Sequence, residues 1–333
     1  MIRKVKGTTV VITGATSGIG RATALEFARA GAQVVVAGRR AERLHDLVVE
    51  IEAKGGVALA VRTDVSEQAQ VEALLAQTIE QFGRIDTLVN NAGVGLAAKF
   101  EEQALADFER VMQINFWGAV YACKAAVPQM KRQGGGGVII NVSSVMGKRG
   151  MPFETAYCAS KFALAGFSEA LRAEIMSEGI DVSTIFPGAV ETEIFEQAAN
   201  QTGLEMPGFI PKYPARELAK LIVQDARFPQ PEIIMALDAL GLNALNTVAP
   251  RLLDLALGWT VPFLEGARRN QGERAPEQTQ RGNLYDAAPK QARNKPETSP
   301  KQARNKPETS PKQARNKPET SPKQARNKPE TSP

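Results

Sequence analysis

The chain has 333 residues, 43% of them hydrophobic and 23% charged, enough apolar material for the core of one large α/β domain. Its formal charge of +5 is no sign of nucleic-acid binding, because residues 290–333 are four identical copies of KQARNKPETSP holding 12 of the 41 Lys and Arg and 4 of the 36 Asp and Glu. The rest carries 29 basic and 32 acidic residues, a net charge of −3, so no nucleic-acid partner is expected for the body.

The amino terminus is basic and then apolar, but Gly14, Gly18 and Gly20 interrupt the run before it could act as a signal segment. Thr9–Thr13 is a short β-branched run, the mark of a strand buried on both faces, and Arg21–Ala30 is the helix that follows it. The alternation then repeats: strand Gln33–Ala37, helix Ala41–Lys54, strand Val57–Arg62, helix Glu67–Phe82, strand Thr87–Asn90 and a helical stretch Glu101–Arg132. His45, the single histidine, lies on the charged face of one of these helices, so a multi-histidine zinc site is excluded and no metal is expected. Past the glycine run 134–137, which reads as a loop, come strand Val138–Val142, helix Glu154–Ser177 and strand Val182–Phe186.

Residues 191–214 are broken by Gly203, Pro207, Gly208, Pro211 and Pro214, as a functional lid or a disordered loop would be. Helix Ala215–Ala226 and a seventh strand, Glu232–Ala236, close the pattern. The whole predicts an α/β fold: a doubly wound parallel sheet of about seven strands with helices on both faces. Leu237–Leu264 is leucine-rich but too polar to span a membrane, and packing of this helical extension on the body or on a second subunit is favoured over attachment to a membrane surface. The domain boundaries expected are 1–236 for a nucleotide-binding catalytic domain, 237–266 for the extension and 267–333 for a disordered tail.

Three constellations carry chemistry. Gly14-x3-Gly18-x-Gly20 stands where the first strand becomes a helix, so main-chain N–H groups and the helix dipole can meet a pyrophosphate, although the spacing is not G-x-G-x-x-G. At the end of the second strand, where NAD-binding proteins present an acid to the ribose, the chain has Gly38, Arg39 and Arg40, which suit a 2′-phosphate. The plainer reading, surface arginines opening a helix, is weakened because cations there oppose the helix dipole. Tyr157 and Lys161 stand four apart on one helix face, and an ammonium within a few ångströms would lower the phenol towards neutral pH. Ser144 would be a third polar group at a substrate oxygen; the Y-x-x-x-K pattern taken alone describes a helix face with a snorkelling lysine, and it is the rest of the chain that overturns that reading.

Together, TGATSGIG, Asp64-Val65, NNAG at 90–93, Asn115, Ser144, YCASK at 157–161 and PGAVET at 187–192 resemble the short-chain dehydrogenase/reductase family over roughly residues 5–235. The resemblance implies a Rossmann-type domain that binds NAD(P)(H) and exchanges a hydride with a small-molecule carbonyl or alcohol. It makes Tyr157 the general acid/base, Lys161 the group that lowers its pKa and binds the nicotinamide ribose, Ser144 the partner of the substrate oxygen, and Asn115 the holder of a relay water. Asp64 would accept from the adenine amino group, Asn91 would line the adenosine side and Thr192 would meet the nicotinamide end. The cofactor-binding set is completed by Gly14, Thr16, Ser17, Gly18, Ile19 and Gly20 in the first turn, by Arg39, Arg40 and Val65, by Ala92 and Gly93, and by Pro187, Gly188 and Val190.

Met146, Met151, Phe153, Phe195, Leu204, Met206, Phe209 and Ile210 fall in segments that would surround the nicotinamide, which suggests an apolar substrate. Ala156, Ala159, Ala163 and Ala165 leave small faces on the catalytic helix, which in the family often packs against a second subunit, so a homo-oligomer is expected. Cys123 and Cys158 form no disulfide framework, so a reduced, cytoplasmic setting is the default expectation. The reading is an NADP(H)-dependent oxidoreductase, NAD(H) being the less suited cofactor. Its rival is a non-catalytic NADP-binding scaffold or sensor that uses the basic repeat tail to hold a partner.

Overall fold

A computed structural model of the chain describes residues 2–192, 199, 200, 202, 211–235, 241 and 245–270. Seven strands form one parallel sheet: β1 (Thr9–Thr13), β2 (Gln33–Gly38), β3 (Val57–Arg62), β4 (Thr87–Asn90), β5 (Gly137–Val142), β6 (Ile180–Pro187) and β7 (Glu232–Met235). The order across the sheet is β7-β6-β5-β4-β1-β2-β3. It reverses direction between β1 and β4, and the cleft at such a switch point is where doubly wound folds bind ligands.

The packing follows from the period-two alternation of side chains along each strand. On β1, Val10 and Ile12 face one core with Phe27 of α1 (Gly18–Arg29), Leu44 and Leu47 of α2 (Ala41–Glu52), and Ile222 of the later helix Ala215–Arg227. Val11 faces the other, with Leu74 of α3 (Gln68–Phe82) and Ala122 and Met130 of the helix Gly118–Arg132. All of these side chains are fully or almost fully buried, which at roughly 1.5–3 kcal/mol for each large apolar side chain makes the two cores the main source of stability.

Three expected elements differ in detail. The stretch 101–132 is not one helix: a 3₁₀ turn at Phe100–Glu102 leads to α4 (Leu105–Met112), a π turn at Gln113–Trp117, and α5 (Gly118–Arg132). Hydrophobic periodicity does not register such a widened turn, which buries Ile114 and Asn115. Gly137 belongs to β5 and not to the preceding loop. The helix α6, which carries Tyr157 and Lys161, spans Thr155–Ile175, with Glu154 as its N-cap.

Of the four alanines expected to offer a small face on α6, Ala156 and Ala165 are buried inside the subunit. Ala159 remains exposed and Phe162 beside it is 45% exposed. The helix α7 (Ala215–Arg227) precedes β7, and α8 (Pro250–Asn270) runs past residue 266. Pro250 opens α8, where a missing N–H costs nothing. Arg149, in the loop after β5, donates to Asn246 at 2.8 Å and pairs with Asp254, and Leu253 is buried. Among the described residues no helix is long and apolar enough to cross a membrane. The repeats at 290–333, with Phe195, Leu204, Met206, Phe209 and Ile210, lie outside the described residues.

Candidate active site

The glycine turn is locked to the neighbouring strand end by Thr13, whose hydroxyl accepts the N–H groups of Asn91 at 3.0 Å and Ala92 at 3.1 Å. Asn91 returns the contact, donating from Nδ2 to the carbonyls of Thr13 and Gly14 at 3.0 and 3.2 Å. Gly14 has φ +67°, and a Cβ there would stand 2.7 Å from Ala92 Cα. Backbone thus meets backbone at the switch point, a close approach that no side chain at 14 would permit. The first amides of α1 open onto the cleft beside this turn, as an anion-binding helix terminus requires.

At the far end of β2, Arg40 bridges the turn. Its Nη2 donates to the hydroxyls of Thr16 at 2.8 Å and Ser17 at 2.9 Å. A Cβ on Gly38 would be 2.7 Å from Thr16 Cγ2, so the site after β2 is shaped to hold no side chain at 38. Asp64 is partly buried, and burial alone would raise its carboxyl. The hydroxyl and N–H of Ser66, bonded to Oδ1, and Arg110, 3.1 Å from Oδ2, outweigh that and hold it below the usual carboxylate range. The carboxylate is therefore fixed and ionised, with acceptor capacity left on Oδ2.

At the other end of the cleft, Ser144 caps the 3₁₀ turn Val145–Gly147, accepting from the Met146 N–H at 3.2 Å, and lines the cleft with Tyr157. Lys161 is buried beneath, donating from Nζ to the Val142 carbonyl at 2.9 Å, and its Nζ lies 5.6 Å from the centre of the Tyr157 ring. The expectation that this ammonium lowers the phenol is corrected here. Burial pushes Tyr157 well above its usual value near 10, against a lowering influence of the Ser144 hydroxyl, and the carboxyl of Glu154 and thiol of Cys158 push the same way as burial. Burial also brings Lys161 down to about 8. Desolvation of both groups exceeds their mutual effect at this separation, so the phenol is held protonated.

Asn115 sits in the π turn with its side-chain amide committed: Nδ2 donates to the Val94 carbonyl and Ser160 Oγ, both at 3.0 Å, and Oδ1 accepts the Val94 N–H at 2.8 Å. It packs behind Gly93, whose added Cβ would be 3.4 Å from Asn115 Oδ1 and 3.6 Å from Lys161 Nζ. Its side chain positions the loop after β4.

A cleft of about 380 Å³ joins these parts. Its wall brings together Thr16, Ser17, Gly18 and Ile19; Arg39, Arg40, Asp64 and Val65; Ala92 and Gly93; Ser144, Tyr157 and Lys161; and Pro187, Gly188, Val190 and Thr192. Gly14 and Asn91 line it too, while Gly20 and Asn115 stand one layer behind. Met146, Met151 and Phe153 are half-buried and lie outside the wall.

Residues 8–203 match the short chain dehydrogenase family. The chain is 34% identical over 289 residues to the uncharacterized oxidoreductase YxnA of Bacillus subtilis, covering 86% of this chain and 80% of that one. This chain belongs to the short-chain dehydrogenase/reductase family. A second relative of this dehydrogenase/reductase, a 3beta-hydroxysteroid dehydrogenase of Mediterraneibacter gnavus, is 40% identical over 191 residues, 57% of this chain and 68% of the relative. Among solved structures, a short chain dehydrogenase/reductase of Burkholderia phymatum in complex with NAD superposes with a TM-score of 0.69 at 29% identity, covering 76% of this chain and 97% of that one.

Sequence reasoning missed several groups of this dehydrogenase/reductase site. Thr63, Val94, Gly95, Ile114, Val142 and Ser143 also line the cleft. Asn90, at the buried end of β4, donates to Asn141 at 2.8 Å, and Asn141 donates to Ser168 of α6 at 2.8 Å. This chain of buried hydrogen bonds ties helix α6 to the sheet. Its only signal in the sequence is polar residues at the ends of two apolar strands, Asn90 and Asn141.

Proposed function

We propose that the chain is an NADP(H)-dependent oxidoreductase that interconverts a carbonyl and an alcohol on an apolar small molecule, working in the cell as a reductase. The carrying observation is the Tyr157 phenol, held protonated, that lines the cleft with Ser144 and Lys161 at one end while Arg39 and Arg40 line it at the other. The residues present fit a nicotinamide dinucleotide: a side-chain-free cradle at Gly14, a helix N-terminus behind it, a fixed carboxylate at Asp64 and a basic pair after β2. The cofactor, when bound, supplies the hydride.

The chain's own residues handle the oxygen. Ser144 and Tyr157 together hold it, and Tyr157 Oη, kept protonated by burial, gives up its proton to the developing alkoxide. Lys161 places a positive charge under the ring, so the phenolate left behind is formed beside a cation. Asn115 keeps Val94 and the loop after β4 in place. The Burkholderia neighbour holds NAD, so the dinucleotide is chosen here on Gly38, Arg39 and Arg40, where an acid is absent and two guanidinium groups suit a 2′-phosphate. A second copy of the chain is placed on the exposed strip of α6 at Ala159 and Phe162. A cytoplasmic setting agrees with two free, buried cysteines, Cys123 and Cys158.

The test is NADPH oxidation with a panel of apolar ketones and aldehydes, run beside Tyr157→Phe. Loss of one general acid lowers turnover by about 10²–10⁴, while NADPH affinity, read by quenching of protein fluorescence, stays near that of the wild type. Wild-type turnover in Tyr157→Phe defeats the mechanism.

A further inference from the structure

The loop that leads from Ser144 to Tyr157 is fixed at both ends and on its inner side. At its start the Gly147 N–H bonds the Ser144 carbonyl at 2.8 Å, and the N–H groups of Lys148 and Arg149 return to the Val145 carbonyl at 3.0 and 3.1 Å, so the turn that Ser144 caps runs directly into Arg149. At its far end Phe153, with φ +67° the one non-glycine residue among the described residues in the left-handed region, accepts the Ala98 N–H on its carbonyl at 2.8 Å. The inner side leaves no slack. A Cβ on Gly147 would stand 2.6 Å from Ser143 Oγ and 2.9 Å from the Lys161 carbonyl oxygen, and the Ser143 hydroxyl donates to that same carbonyl at 3.0 Å.

The outer side is gripped by the C-terminal extension. Arg149 Nη1 donates to Asn246 Oδ1 at 2.8 Å and Nη2 pairs with Asp254 of α8, while Asn246 Nδ2 donates to the Lys148 carbonyl at 3.2 Å. One asparagine thus bonds the loop through both ends of its amide. Lys148 itself reaches the sheet, with Nζ 2.6 Å from Glu232 Oε1 of β7 and 4.4 Å from the centre of the Phe186 ring of β6. The Arg149 side chain is only 15% exposed, so its charge, taken out of most of its water, is compensated by what the extension offers. Leu253, buried beside Asp254 in sequence, seats the start of α8 on the body. Asn246 and Asp254 both lie past residue 203, where the match to the family ends.

We propose that Arg149 is a positioning residue: held by Asn246 and Asp254 of the extension, it fixes the turn Val145–Gly147 and so aims the Ser144 hydroxyl at the substrate oxygen. The inference rests on the reading of Ser144 as the partner of that oxygen. A guanidinium suits the task, because its donors lie in one rigid plane and two acceptors set its orientation. Its main-chain N–H, bonded to the Val145 carbonyl, passes that orientation to the turn. A donor that meets charge as it develops has to be in place beforehand, and a misplacement of about 1 Å can cost on the order of a hundredfold in rate. Without the grip the turn is held on its inner side alone, and Ser144, whose Oγ accepts the Met146 N–H at 3.2 Å, moves with it. The extension therefore acts on the reaction although none of its described residues stands on the cleft wall.

The test uses the full-length protein in a double-mutant cycle of Arg149→Met, which keeps the apolar stem and removes the fork, with Ser144→Ala. The readouts are kcat with NADPH and the panel of apolar ketones, NADPH affinity, and amide hydrogen exchange. In the wild-type background Arg149→Met should lower kcat by roughly tenfold with NADPH affinity unchanged. In the Ser144→Ala background it should cost less than about twofold, since residues that act through one another are not additive. Exchange at the Met146 and Gly147 amides should quicken while β5 and β6 keep their protection. Asn246→Ala, which leaves the pair with Asp254 intact, should give the same pattern at smaller size, and it carries the cycle if Arg149→Met does not fold. A merely structural role would lower kcat by the same factor in both backgrounds and loosen the sheet together with the turn. Either of those results, or wild-type protection at Met146 and Gly147, overturns the proposal and leaves the reductase reading standing. No turnover of any ketone in the panel by the wild type overturns the reductase reading and the proposal with it.

Discussion

Lys161 gives its ammonium to the carbonyl of Val142 at 2.9 Å, and among the described residues no carboxylate pairs with it. A buried cation bonded to a neutral carbonyl is poorly compensated, since one dipole replaces a full hydration shell. Strength of this kind at a functional position is held by the surrounding fold: Lys161 shares α6 with Ser168, which the buried amides Asn90 and Asn141 anchor to the sheet.

Replacing that lysine should therefore make the protein more stable and less active. Its pKa is brought from about 10.5 down to about 8, so the folded state binds the proton less tightly than the unfolded chain. Below pH 8 the cost is present in full; as pH rises from 8 to about 10.5 the folded lysine is neutral and the cost fades. Lys161→Met should gain on the order of 3 kcal/mol in urea unfolding at pH 7, with the gain shrinking towards pH 10.5, and should lose turnover. A variant less stable than wild type at pH 7 would show that the Val142 hydrogen bond outweighs the desolvation.

Asp225 offers a second titration far from the cleft. It is 1% exposed, its Oδ1 accepts the Gln230 N–H at 2.8 Å, and its Oδ2 has no hydrogen-bond partner among the described residues. Burial raises it from about 3.8 to about 6. The folded state thus binds this proton more tightly than the unfolded chain, so the group's contribution falls as pH rises from about 4 to 6 and the cost is complete above 6. Asp225→Asn should stabilise at pH 7 by up to about 3 kcal/mol, and the gain should vanish near pH 4. Equal gains at pH 4 and pH 7 would assign the effect to packing.

The strands were legible because each is a short β-branched run between turn residues, and in a parallel sheet both faces are covered, so Val10, Val11 and Ile12 needed no alternation to be read. The glycine turn, Ser144, Tyr157 and Lys161 were legible as residue types at a spacing. What was not legible depends on competition between terms. The same Tyr157 and Lys161 spacing permits either a phenol lowered by a cation or a phenol raised by burial, and only the 5.6 Å separation and the buried surroundings decide between them. The π turn at Asn115, the left-handed Phe153 and the clash awaiting any side chain at Gly38 leave no periodicity behind, because each is set by a neighbour distant in sequence: Val94, Ala98 and Thr16.

That last neighbour changes how cofactor choice has to be tested. Arg39, on the cleft wall after β2, is expected to select NADPH, and a charge-assisted contact to the 2′-phosphate contributes roughly 1.5–3 kcal/mol, about ten- to a hundredfold in kcat/KM. Arg39→Ala should therefore cost mainly the NADPH reaction. The reverse experiment, an acid at 38 to recruit NADH, fails as a single change, because the new Cβ would stand 2.7 Å from Thr16 Cγ2. Displacing Thr16 also disturbs the hydroxyl that accepts from Arg40 at 2.8 Å, so Gly38→Asp alone should weaken both cofactors. Thr16→Ser removes the offending methyl and keeps the hydroxyl. Gly38→Asp with Thr16→Ser should accordingly recover NADH turnover and place a carboxylate where it repels a 2′-phosphate. The measurement is kcat/KM with NADPH and NADH for the wild type, Arg39→Ala, Gly38→Asp and the double variant. A wild type that prefers NADH, or an Arg39→Ala that loses both cofactors equally, would make Arg39 a surface charge; a double variant no better than Gly38→Asp would show that Thr16 is not the obstacle.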